Sequence, residues 1–179
     1  FSYGILKRSS HGALNTAEGY VRSKLRHDVG PLDQAPCNMD VTSHRFVVNR
    51  DCPDLLATAA AFWPAVDAGV WKDDQHLAVA VTLWFPNCRS HHLAMRAATE
   101  FAQVRLADDR GLCVQVVAHA PSKIGHRGDF HVHEVISARG TNSGGLTTYA
   151  RDLLDKGGQI KLHAEWMDWK ATHAADLIR

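Results

Sequence analysis

The chain has 179 residues, 45% of them hydrophobic and 22% charged, which is enough for one sizeable core and short for two, so one domain spanning 1–179 is expected. There is no apolar run of the roughly eighteen residues that a membrane-spanning helix needs, and the opening FSYGILKR carries its basic residues after its apolar ones, unlike a secretory signal. A cytoplasmic location follows. The net charge of +1 gives no general attraction for polyanions, so any affinity for nucleic acid has to come from a local patch.

In chain order, Tyr3–Lys7 reads as a short strand. Next, 11–26 carries Leu14, Ala17, Val21 and Leu25 at helical spacing, with Ser9 and Ser10 as N-caps. The stretch 28–41, with Gly30, Pro31 and Pro36, reads as a loop, and His44–Asn49 as a strand built on Phe46, Val47 and Val48. The alanine-rich 53–66 is helical, with Pro64 expected to kink or restart it. LAVAVTLWF at 77–85 is the clearest buried strand, stopped by Pro86.

A long amphipathic helix follows at 90–108, its apolar face made by Leu93, Ala97, Phe101 and Val104 and its end capped by Gly111. Two strands, 112–119 and 130–138, flank a polar, glycine-bearing connection and are most simply joined as a hairpin. From Thr141 the chain reads as a glycine-rich loop and then one or two helices, including 162–178. This order implies an α+β domain with an antiparallel sheet covered by helices.

Two features carry chemistry. The four cysteines, Cys37, Cys52, Cys88 and Cys113, contain no C-x-x-C pair, which argues against a zinc knuckle or a disulfide scaffold and for reduced thiols. The twelve histidines make roughly one His-x-His pair expected by chance. Strand alternation nevertheless places His119 on one face of its strand and His131 and His133 on one face of the next. If the two strands pair in the fitting register, three imidazoles meet around one cation, leaving positions open for water and substrate. The competing reading is that His131 and His133 are polar residues on a solvated face. A cupin-like G-x5-H-x-H match starting at Gly125 conflicts with the helices, and a local zinc site including His126 would depend on a loop.

Three blocks resemble the MobA/MobL (TraA-like, MobQ-type) relaxases of the HUH endonuclease superfamily over residues 3–140. KRSSHGALNTAEGYVRSKLRHD resembles their opening tyrosine block, with Tyr20, Arg22 and Ser23 in the matching positions. FWPAVDAGVWKDDQHLAVAVTLWFP resembles their tryptophan-bearing helix and following strand. VVAHAPSKIGHRGDFHVHEVISAR resembles their last block, with His119, His131, His133 and Arg139 matching. The tail 141–179 matches only loosely and is taken as the C-terminal helical part of the same domain.

The resemblance implies a palm-like, about five-stranded antiparallel sheet flanked by helices. His119, His131 and His133 would hold Mg²⁺ or Mn²⁺, and Tyr20 would attack a phosphodiester in single-stranded DNA at an origin of transfer, giving a 5′-phosphotyrosyl enzyme and a free 3′-hydroxyl. Arg22, Ser23, Lys24, Arg26 and Arg139 are the candidate DNA contacts, with Trp71 and Trp84 as candidate base-stacking or core residues. Accessory relaxosome proteins would be further partners. No second tyrosine neighbours Tyr20, and no phosphate-binding G-x-x-x-x-G-K-[ST] loop occurs.

Where many relatives carry a carboxylate on the strand before Leu-Pro, this chain has Ala80. The general base is therefore unassigned among Glu18, Asp129 and Glu134. Two alternatives stay open at this level: a DNA-binding member of the same fold without catalysis, and a small-molecule metalloenzyme built on the three histidines.

Overall fold

The computed structural model describes residues 1–10, 12–26, 32 and 40–173. Its main sheet runs in the order β1 (Ser2–Lys7), β5 (His76–Phe85), β7 (Phe130–Asn142), β6 (Leu112–His119), β4 (Val41–Val47), with all neighbours antiparallel. These are the five strands expected. A sixth, β8 (Gly145–Tyr149), pairs with the far end of β7.

The helices divide between the two faces. On one face, α1 (Ala17–Leu25) and α2 (Ala59–Ala68) bury Val21, Leu25, Phe62 and Trp63 against Cys113, Val117 and Val135. On the other, α3 (His91–Phe101) and α5 (Gly158–His173) bury Phe101, Leu162 and Trp166 against Val116, Val132 and Ile136. Sheet alternation sorts the strand residues between these two cores. β6 is buried along its whole length, as its near-continuous apolar sequence requires of a strand covered on both sides.

Several boundaries differ from the sequence expectation. The first helix starts at Ala17, where the Thr16 side chain accepts from Gly19 N at 3.0 Å. Ser9 and Ser10 form β2, which pairs with β3 (Ala13–Leu14) as a small ribbon, leaving Leu14 83% exposed. A local hydroxyl cap thus overrides the apolar spacing, because Thr16 satisfies an orphan amide directly. His11 and all of the expected 28–41 loop except Leu32, Asp40 and Val41 lie outside the described residues.

The helix expected over 53–66 opens as a 3₁₀ turn at Asp54–Leu56 and becomes α2 after the Thr58 cap. It runs unbroken through Pro64, whose ring is exposed. The helix expected to reach 108 is regular only to Phe101 and continues as a π-helical segment, Ala102–Asp108, ended by Gly111 at φ +68° with its N–H on Ala107 O. The glycine-rich stretch after Thr141 is a hairpin turn: β7 extends to Asn142, and Gly145 at φ +113° leads into β8. The closing helices are α4 (Arg151–Leu154) and α5, with residues beyond 173 outside the described part.

Candidate active site

β6 and β7 pair as the expected hairpin, in the register that sets His119 opposite His131 and Val117 opposite His133. The ligand atoms of the three imidazoles all lie within 4.8 Å of one another, and no other group of three or more metal-ligating side chains occurs among the described residues. His126 is exposed and takes no part.

Each ring is oriented from behind. His131 Nδ1 lies 2.9 Å from the Asp129 carbonyl oxygen, which only accepts, so Nδ1 carries the proton and Nε2 presents its lone pair. His133 Nδ1 lies 3.0 Å from the Thr82 hydroxyl, one strand over on β5. His119 Nδ1 faces Asp40 Oδ2 at 3.4 Å, while its Nε2 meets the Lys24 carbonyl at 2.8 Å. Burial lowers the His119 pKa against the opposing pull of Asp40. Burial, then Lys24 and the neighbouring imidazoles, push His133 down to about 2. Desolvation therefore keeps these two rings neutral, the form in which imidazole binds a metal.

The donor set suits a divalent cation. Three imidazole nitrogens converge from one sheet face, the kind of donor set that holds a divalent cation. A cation at His119 Nε2 would take the place of its contact with the Lys24 carbonyl.

The last turn of α1 thus rests on the triad. Tyr20 lies four residues before Lys24, about 6 Å along the axis, and the Lys24 ammonium sits 5.0 Å from its ring centroid. The Tyr20 ring is half-buried against the α1–α2 core, and burial raises its phenol above the ordinary value. A hollow of about 310 Å³ opens beside it, between Leu6, Leu14 and Ser23.

The candidate DNA contacts separate into two groups. Lys24 and Arg26 reach the triad: both depress His133, and Arg26 Nε is 3.8 Å from Asp40. Arg22 pairs with Glu18 at 2.7 Å, and the Ser23 hydroxyl donates to Tyr20 O. Arg139 is not brought to the site. It stands eight residues along β7 from His131, roughly 26 Å away, and its guanidinium donates to the carbonyls of Gly69, Leu146 and Thr147. Trp71, 47% exposed, is likewise at that far end, beneath Arg139. Trp84 is different. It is 42% exposed, opposite His131 in register, with ring centroids 4.7 Å apart.

Of the three candidate bases, Glu134 points to the opposite face and is fully buried. Glu18 is held by Arg22, and Asp129 meets the triad through its main chain. Sequence reasoning missed Asp40 and Thr82. Ala80 lies two residues behind Thr82 on β5, opposite Val135, while Thr82 and Asp40 are the side chains that meet the His133 and His119 rings. Thr82 had a signal, being the one polar residue in LAVAVTLWF.

The MobA/MobL family model matches residues 37–179, the larger part of the chain. The chain belongs to the MobA/MobL family. The match begins after Tyr20, and it includes the tail beyond Arg139 that the sequence blocks resembled only loosely. No curated protein sequence matches.

Among solved structures, this MobA/MobL chain is similar to one described as the molecular basis of vancomycin resistance transfer in Staphylococcus aureus: 14% identity, TM-score 0.76, 98% of this chain and 91% of that one covered. It is also similar to the conjugative relaxase TrwC in complex with oriT DNA in a metal-bound structure, at 12% identity and TM-score 0.59, covering 98% and 70%. At these identities the likeness establishes the fold, the palm-like antiparallel sheet of relaxases. No helix among the described residues is long and apolar enough to cross a membrane.

Proposed function

We propose that this MobA/MobL chain nicks and reseals single-stranded DNA at an origin of transfer, with Tyr20 as nucleophile and His119, His131 and His133 holding Mg²⁺ or Mn²⁺. The reading rests on one observation: the Lys24 carbonyl, in the last turn of α1, meets His119, and Tyr20 stands four residues earlier on the same helix. TrwC, which by its description binds oriT DNA and a metal, shares the fold.

When bound, the cation would neutralise charge on the scissile phosphate, the main obstacle to anionic attack. The chain's own residues supply the rest. Tyr20 Oη forms a bond to phosphorus as the bond to the 3′-oxygen breaks; the phenol loses its proton and the 3′-oxygen gains one, leaving a 5′-phosphotyrosine and a 3′-hydroxyl. The tyrosyl phosphodiester keeps the bond energy, so a returning 3′-hydroxyl can reseal the strand. Lys24, over the Tyr20 ring, favours the phenolate that burial disfavours. Lys24 and Arg26 contact phosphates flanking the cut, with Arg22 and Ser23 on the same helix, while the exposed Trp84 ring stacks a base. A cytoplasmic location and accessory proteins at the origin fit this substrate.

The test is incubation with labelled single-stranded origin DNA and Mn²⁺, followed by denaturing electrophoresis. A covalent adduct is expected from the parent, none from Tyr20→Phe, and little from His131→Ala. An undiminished adduct in Tyr20→Phe would move the nucleophile elsewhere, and binding without any adduct would make the chain a non-catalytic member of the fold.

A further inference from the structure

A second charged feature lies on the outer edge of the sheet. Between edge strand β4 and α3 runs a hollow of about 350 Å³, lined by Arg45 on one side and by Arg96 and Glu100 on the other. It adjoins a second of about 430 Å³, lined by Arg89 and Lys123, and the two share Ser43 and His92. Together they form one groove with four Lys/Arg and a single carboxylate. That local excess of three is larger than the net +1 of the entire chain, so the remaining residues sum to −2.

The pairing of these cations matters more than their number. Arg45, Arg89 and Lys123 are exposed and form no ion pair with the described carboxylates; only Arg96 has a partner, Glu100 at 3.7 Å on the surface. The other charged hollow, between the π-helical segment and α5, is the opposite case. There Arg105, Arg110 and Lys161 are each paired to Asp109, Asp152 or Glu165. Paired charges form a solvated network, whereas unpaired cations lining a groove create the focused positive potential that attracts a polyanion.

The groove starts at the triad's end of the sheet but on the other face, the one α3 covers, so a strand held there has to pass around the sheet's edge from the cut. Val41 pairs with His119, and the next residue, Thr42, already lines the near hollow. Lys123 follows His119 by four residues. From there the groove runs along α3 from His91 toward Glu100 for roughly 13 Å, away from the triad.

We propose that this β4–α3 groove is a phosphate track for single-stranded DNA, holding the strand on one side of the cut through Arg45, Arg96, Arg89 and Lys123. It deepens the nicking proposal and rests on it for the polymer involved. Each neutralised phosphate on a single strand adds about 0.7 to the slope of log affinity against log salt, so the groove is measurable without any chemistry.

The experiment measures binding of a fluorescent oligo-dT to the full chain by anisotropy across a KCl series, with EDTA present to prevent nicking. Arg45→Gln with Arg96→Gln is expected to flatten the slope by about 1.4, as is Arg89→Gln with Lys123→Gln, a pair outside the sheet and the α-helices. The charge-matched control, Lys72→Gln with Lys156→Gln, should leave it unchanged. Equal slopes for groove variants and control would overturn the proposal and leave the groove to another ligand, such as an acidic protein segment. The two proposals fail separately: a flattened slope with an adduct persisting in Tyr20→Phe would keep the groove and remove the nucleophile. A lost adduct in Tyr20→Phe with unchanged slopes would do the reverse.

Discussion

The carbonyl oxygen of Lys24 lies 2.8 Å from Nε2 of His119. Asp40 faces the other ring nitrogen at 3.4 Å. Both partners only accept, and a neutral imidazole has one proton to give. The shorter contact is the one at Nε2, so in the cation-free ring Nε2 donates that proton to the Lys24 carbonyl, and a cation bound there would displace it. The helix bearing Tyr20 is therefore seated on the same atom that is proposed to bind the metal.

Asp40 should consequently matter for the cation. Asp40→Asn is expected to weaken Mn²⁺ binding, measured by calorimetry, by 10- to 100-fold, the usual range for losing a group that orients a ligating histidine. Unchanged affinity would remove Asp40 from any part in the site.

Trp84 should act on substrate binding. Base–aromatic stacking is worth about 1–3 kcal/mol, so Trp84→Ala is expected to raise KM for origin DNA about tenfold or more while kcat for adduct formation changes little. Trp84→Phe should recover most of the loss. A fall in kcat alone, with no recovery by phenylalanine, would point instead to a disturbed His131 ring.

Glu134 sets a pH dependence of stability. Burial raises it to about 8, and neither carboxylate oxygen has a hydrogen-bond partner among the described residues. Between its unperturbed value of 4.5 and about 8, the folded protein keeps a proton that the unfolded chain releases, so this group's contribution falls as pH rises through that window. In EDTA, Glu134→Gln should stabilise the protein on the order of a few kcal/mol at pH 8 and change it little at pH 5, read from urea midpoints. Equal effects at both pH values would refute the raised pKa.

Arg139 is expected to be structural. Arg139→Ala strands three carbonyls that it now satisfies, and should cost about 3 kcal/mol in urea unfolding with DNA affinity unaltered. Lysine should not rescue it, because one ammonium cannot reproduce the planar fork. Weakened DNA binding in a fully folded variant would return Arg139 to the interface.

The central hairpin was legible because alternation and loop composition fix it locally: once β6 and β7 pair, His119, His131 and His133 have no choice of face. The start of α1 was misread because apolar spacing ignores which hydroxyl reaches an amide, and Thr16 does so where Ser9 and Ser10 do not. Asp40 was invisible for another reason. Its contact with His119 spans 79 positions, and nothing in the local sequence around either residue specifies a partner that distant. Arg139 shows the converse limit, since a motif position fixes a residue type without saying what its donors reach.

The placement of the triad on one hairpin also bears on assembly. His119 and His131 are twelve positions apart, whereas the seat of α1 on His119 closes a loop of 95. Closure entropy grows with loop length, so the histidine cluster can form from nearby chain while the nucleophile docks late. A cation bound by that cluster would template a partly folded chain, stabilising the hairpin before the strand-cutting apparatus is complete.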